Sequence, residues 1–190
     1  MDTTGLAKEA KLQNIIDMAI GYTAMMPLFQ AHSADLIKDK LADLFEGLDR
    51  ISSDQDFSSI HDDFCQWFVK TIRLAKKGEP SSYGHAAKVL DLALKVYVYY
   101  CRMPNPAKAE SLTPRLNGTI DTPILRYLFK KLDNIYSESY PTHYFWTITM
   151  IAKEDYDLLQ RIVRQDIRDS FDNNILPVQY DDIMGLQLGR

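Results

Sequence analysis

Three groups of residues have the types that chemistry needs. The first is His61-Asp62 with His32 upstream. Neutral imidazole and carboxylate together can hold a divalent ion that activates water, which makes His32, His61 and Asp62 the candidate metal ligands. Consecutive residues on a helix point about 100° apart, however, so a solvated carboxylate pair near a helix start is the preferred reading and no metal ion is expected. The second group centres on Asp121, in the run Thr119-Ile120-Asp121-Thr122-Pro123-Ile124-Leu125-Arg126-Tyr127-Leu128. A carboxylate there could stabilise positive charge developing on a substrate. Equally, Asp121 or Thr122 could cap a helix with Pro123 in its first turn, where a missing N–H costs nothing. The third group is thiol and imidazole: Cys65 or Cys101 could act as a nucleophile if His85 or His143 came near, and otherwise both pack as small hydrophobes. There is no serine elbow, glycine-rich phosphate loop, CxxC or HExxH pattern, and no cofactor is expected.

Two of these groups carry a resemblance to a known family. The segment around Asp121 resembles, over about ten residues, the Val-Asp-Thr-His-Val segment of the helix-hairpin-helix DNA glycosylases. The resemblance implies an all-helical fold, with Asp121 as the catalytic carboxylate at a helix start and Thr122 beside it. Pro123 stands where that family has His, and no Leu-Pro-Gly-Val-Gly hairpin precedes it. His61-Asp62 with His32 resembles, on three residues, the ligand order of the HD phosphohydrolases, which implies a metal-dependent hydrolase.

Charge is distributed unevenly. Residues 70–131 hold twelve Lys/Arg against four Asp/Glu, whereas the segments before and after are acidic and the whole chain has a net charge of −4. Arg73, Lys76, Lys77, Lys108 and Arg115 are the candidate anion-binding residues, able to attract phosphates by Coulomb attraction and counterion release. The opposing reading is that the acidic flanks fold over this segment and neutralise it. Binding is favoured over catalysis: a helical binding module whose basic middle contacts an anionic partner such as nucleic acid. The alternatives are a helical enzyme around Asp121 or His61/Asp62, and a structural or interaction protein that self-associates as a homo-oligomer.

Helices must position these residues. Apolar side chains recur at intervals of three and four, the periodicity of one helix face. Leu12, Ile15, Ile16 and Ala19 predict a helix near 4–24, and Ile37, Leu41, Leu44, Phe45 and Leu48 a second, ending near Leu48. Ile60, Phe64, Trp67, Phe68, Ile72 and Ala75 predict a third, stopped by the turn at 78–82 and capped from the Ser/Asp-rich stretch before it. Residues 83–102 are apolar on most sides and predict a central fourth helix, with a strand at 96–100 as the alternative. Residues 103–121 hold three prolines and a glycine and predict a long Pro-rich surface loop. A fifth helix is expected from about 123 to 136 and a sixth near 153–171, with Arg161, Arg164 and Arg168 on a polar row. Tyr144, Phe145 and Trp146 form an aromatic cluster before the sixth, and residues 175–190 are expected to be extended or frayed.

The expected fold is therefore all-α: a single-domain bundle of about six helices around 83–102. The longest apolar stretch, Val96 to Cys101, is bounded by Lys95 and Arg102, so no membrane partner is expected. The N-terminus lacks an export signal and the two cysteines are not spaced as a pair, which predicts a cytoplasmic setting.

Overall fold

The computed structural model describes residues 3–135 and 147–188. The fold is all-α, with eight α-helices and no strand among the described residues. In chain order they are α1 (Thr3–Thr23), α2 (Ser33–Gly47), α3 (Asp54–Thr71), α4 (Tyr83–Leu94), α5 (Pro106–Leu112), α6 (Thr122–Ile135), α7 (Lys153–Phe171) and α8 (Pro177–Gln187). His143 and the aromatic cluster Tyr144, Phe145 and Trp146 lie outside the described residues.

The apolar character of 83–102 has the expected consequence. Every residue of α4 except Lys88 is buried, and α4 packs against α1, α3 and α7. Residues 96–100 are not a strand: α4 runs on into a π-helical turn, Lys95–Tyr100, closed by the Cys101 N–H donating to the Val96 carbonyl at 2.9 Å. Lys95 is buried in this turn and bridges to Asp181 at 2.9 Å and Asp182 at 2.7 Å on α8, which satisfies a charge that would be costly alone. Gly84 sits where α4 meets the short turn Ile148–Met150; an added Cβ would lie 2.5 Å from the Ile148 carbonyl oxygen.

Three sequence expectations are corrected. First, α3 ends at Thr71, although Ile72 and Ala75 continue its apolar period. Ile72 is buried from an extended backbone (φ −88°, ψ 131°), its carbonyl accepts from Ser81 N–H at 3.1 Å, and the Arg73 guanidinium donates to the Val69 carbonyl at 3.1 Å. Competing partners thus take over the helix-terminal carbonyls. Second, residues 103–121 are not a surface loop. Asn105 caps α5 by accepting the Lys108 N–H at 3.0 Å, Pro106 occupies the first turn, and Thr113–Arg115 adds a 3₁₀ turn. Ala109, Leu112, Leu116 and Ile120 are buried from this segment. Proline breaks helix interiors but is compatible with first turns, which is where this segment uses it. Third, the C-terminal stretch forms α8, started by Pro177 and by Gln179 accepting the Leu176 N–H at 2.8 Å, with Val178, Tyr180 and Met184 buried.

Candidate functional site: a cationic cleft over a buried His–Asp–Tyr network

Two helix faces and one connecting segment bound a cleft of about 320 Å³. From α3 come Asp54, Phe57, Ser58 and His61, and from α7 come Lys153, Tyr156, Asp157, Gln160, Arg161 and Arg164. Both sets recur at intervals of three and four, so each is one stripe on its helix. Pro114, Arg115 and Asn117 close the third side.

Local sequence fixes these elements. The α3 start is held by a reciprocal cap: Ser53 Oγ accepts the Asp56 N–H at 3.1 Å, and the Asp56 carboxylate accepts the Ser53 N–H at 2.9 Å. Bonds from Ser52 and Ser53 hold the Asp56 carboxyl down to about 2. At the α7 start, Asp155 accepts the Ala152 N–H at 3.0 Å. The 114–118 segment is clamped by Gln160, whose side-chain amide donates to the Gly118 carbonyl at 2.7 Å and accepts the Gly118 N–H at 3.2 Å. Only glycine fits there: a Cβ would meet the Pro177 carbonyl oxygen at 2.9 Å and Val163 Cγ1 at 3.3 Å.

The cleft floor is a buried polar network joining three helices. His61 Nε2 donates to Asp91 Oδ1 at 3.0 Å, and Tyr156 Oη donates to Asp91 Oδ2 at 2.7 Å. The Tyr156 and His61 rings stack with centroids 5.3 Å apart. Cys65 Sγ lies 3.8 Å from His61 Nδ1, one helical turn along α3. Burial pushes the imidazole pKa down, but Cys65 and Asp91 outweigh it and raise it to about 10, so His61 is an imidazolium at neutral pH. Burial and the adjacent Asp91 push the Tyr156 phenol well up, so it stays protonated and donating.

This geometry limits the chemistry. Cys65, His61 and Asp91 are the types of a nucleophilic triad, but Cys65 is 0% exposed, so its sulfur is closed to a substrate. The network is a rigid floor carrying a paired charge.

Charge on the walls is unequal. Asp54 Oδ1 lies 2.9 Å from Arg115 Nε, and Asp157 Oδ2 lies 2.9 Å from Lys153 Nζ. Both cleft carboxylates are therefore matched. Among the described residues Arg164 is held only by neutral acceptors, Asn117 Oδ1 at 3.0 Å, the Gln160 backbone carbonyl at 3.3 Å and Gln160 Oε1 at 3.4 Å, and Arg161 has no ion pair. Two guanidinium groups with no ion pair among the described residues thus sit one turn apart on α7.

Of the residues singled out from sequence, the structure brings His61 and Arg115 to this cleft. Asp121 caps α6, accepting the Ile124 N–H at 3.1 Å, and is not among the cleft residues. His32 is exposed in left-handed backbone (φ 67°) at the start of α2. The Asp62 carboxylate turns from His61 to accept the Tyr83 hydroxyl at 3.1 Å. No cluster of three or more His, Cys, Asp or Glu side chains able to hold a metal ion occurs among the described residues. His85 caps α4, its Nδ1 accepting the Ser82 N–H at 3.2 Å, and burial lowers its pKa to about 4.

The five anion-binding candidates divide. Arg73, Lys76 and Lys77 follow the C-terminal end of α3, whereas Lys108 donates to the Ile51 carbonyl and Arg115 pairs with Asp54 at its N-terminal end. An 18-residue helix separates the two groups by about 27 Å. Among the described residues, acidic flanks also reach the basic segment at three points: Asp54 to Arg115, Asp181 and Asp182 to Lys95, and Asp166 to Lys131.

Asp91, Tyr156 and the two arginines were not identified from sequence as one site. Asp91 carried a signal, since a lone carboxylate on a helix apolar on most sides must find a buried partner.

No family model, no curated protein and no solved structure matches this chain.

Proposed function

We propose that the protein is a binding module that takes a small anionic ligand in the α3–α7 cleft. The observation that carries this reading is the pair Arg161 and Arg164, which line a concave site whose two carboxylates are already matched by Arg115 and Lys153. Guanidinium groups suit carboxylate and phosphate oxygens because they can donate two parallel hydrogen bonds. Asn117 and Gln160, the latter fixed by its two bonds to Gly118, hold Arg164 before any ligand arrives, which lowers the ordering cost of binding.

A small ligand is favoured over nucleic acid, because the other basic side chains lie at opposite ends of α3 and do not extend the cleft into a track for a phosphate backbone. Support for one domain comes from a single cluster of buried apolar residues reaching from Ile15 to Met184. Support for a cytoplasmic setting comes from Cys65 and Cys101, both free thiols. No helix among the described residues is long and apolar enough to cross a membrane.

The test is calorimetric titration with inorganic phosphate and with acetate at low and moderate salt. Saturable, salt-weakened binding that Arg161→Glu reduces at least tenfold, and that Lys76→Glu/Lys77→Glu leaves unchanged, is expected. Absent binding, or binding that depends on Lys76 and Lys77 instead, would remove the proposal.

A further inference from the structure

A second cavity, of about 410 Å³, adjoins the cationic cleft. Tyr83 and Lys153 line both, so the two share a wall. That wall is ordered: Tyr83 Oη donates to Asp62 at 3.1 Å, and Lys153 Nζ lies 5.9 Å from the centre of the Tyr83 ring.

The two cavities differ in chemistry. Val69, Met150, Ile151 and Ala152 give the second an apolar lining. Of its other polar members, Gln66 donates to Asp62 at 2.9 Å, Ser82 Oγ donates to the Ile148 carbonyl at 2.7 Å, Thr149 Oγ1 bonds Thr147 Oγ1, and Lys70 is exposed. Met150 stays 60% exposed at the margin. An apolar cavity that adjoins, at Tyr83 and Lys153, a cleft holding two arginines with no ion pair among the described residues matches a molecule with one anionic end and one hydrocarbon end. Either volume alone falls at the small end of the range for ligand pockets, about 300–1,000 Å³.

Resting on the cleft's assignment as an anion site, we propose that the two cavities form one site for a dissolved straight-chain carboxylic acid. Its carboxylate pairs with Arg161 and Arg164, and its alkyl chain passes Tyr83 and Lys153 to lie against Val69, Met150 and Ile151. The two arginines fix the end of the chain, and the apolar cavity sets how much of it is buried. Binding involves no covalent step.

The experiment is calorimetry with acetate, butanoate, hexanoate and decanoate, each below its micellar concentration. Affinity should rise about fourfold for each methylene that enters the cavity, the equivalent of about 0.8 kcal/mol per buried CH₂. Val69→Trp, which fills the cavity, should flatten this dependence while leaving acetate and inorganic phosphate binding intact. Thr149→Trp, at an exposed position on another wall, makes the same test should Val69→Trp fail to fold. Arg161→Glu should weaken every acid by a similar factor.

Decanoate binding no tighter than acetate, with phosphate still bound through Arg161, would overturn the alkyl site and leave the anion cleft standing. A chain-length dependence that survives in folded Val69→Trp and Thr149→Trp would also overturn it, as would binding to anionic lipid vesicles in preference to free decanoate. If neither phosphate nor any acid binds, the cleft assignment falls as well.

Discussion

Replacing Asp91 by Asn tests the buried network that floors the cleft. Asp91 is 2% exposed, and its two oxygens accept from His61 Nε2 at 3.0 Å and Tyr156 Oη at 2.7 Å. An asparagine keeps the volume but offers one acceptor and one donor to two donors, and it removes the charge that matches the imidazolium. Breaking a buried ion pair by removing one partner costs about 3–5 kcal/mol. For a chain of this length each kcal/mol shifts Tm by roughly 2–4 °C, so a fall of roughly 6–20 °C is expected. The loss should depend on pH. Without Asp91 one of the two partners that raise the His61 pKa is gone, so the variant gives up the proton at a lower pH than the wild type, which holds it up to about 10. The penalty is therefore largest in mild acid and shrinks as pH rises toward that value. Urea unfolding of both proteins at about pH 6 and about pH 9, with the His61 ring followed by NMR, measures it. Adding His61→Gln to the variant should recover part of the loss, since the two residues are coupled. A loss below about 1 kcal/mol at the lower pH, or one that does not change with pH, would refute the reasoning.

The two buried histidines shift in opposite directions and should give stability a maximum near the ordinary histidine pKa of about 6.5. His61, raised to about 10, contributes stability that is complete below about 6.5 and lost as pH rises toward 10. His85, lowered to about 4, leaves the unfolded chain binding more protons between 4 and 6.5, so stability falls as pH drops through that window. Urea midpoints across this range should lose their alkaline arm in His61→Gln and their acid arm in His85→Gln; an arm that persists in its variant refutes the assignment. Gly118→Ala should cost about 1–3 kcal/mol, because its Cβ meets a backbone oxygen at 2.9 Å. Gly21→Ala, with open space at the same position in α1, should be stabilising by up to about 1 kcal/mol, and equal effects by thermal melts would contradict both.

Much of the fold was legible because helix periodicity is written in neighbouring residues. Ile15, Ile16 and Ala19 are buried on α1, Ile37, Leu41, Leu44 and Phe45 on α2, and Tyr156, Leu159, Ile162, Val163 and Ile167 on α7. What periodicity misses is competition for backbone groups. Ile72 continues the α3 period, yet Ser81 and Arg73 claim the carbonyls that would have extended the helix. Pro106 reads as a breaker but starts α5, and Pro177 starts α8 in a stretch that shows no clear period. The site was less legible because its parts come from distant segments. His61 and Asp91 are 30 residues apart and Tyr156 a further 65, and nothing in their local sequence pairs them. Arg161 and Arg164 read as a polar row. They gain significance only because Asp54 and Asp157, the acids that would neutralise them, are matched elsewhere.

Anion binding at Arg161 and Arg164 is tested most directly by NMR of arginine side-chain N–H groups during titration with hexanoate. Saturable shifts at Arg161 and Arg164, with the Asn117 side-chain amide following and Arg73 unmoved, are the expected result. Shifts that grow without saturating, or that appear at Arg73 while the two α7 arginines stay still, would contradict it.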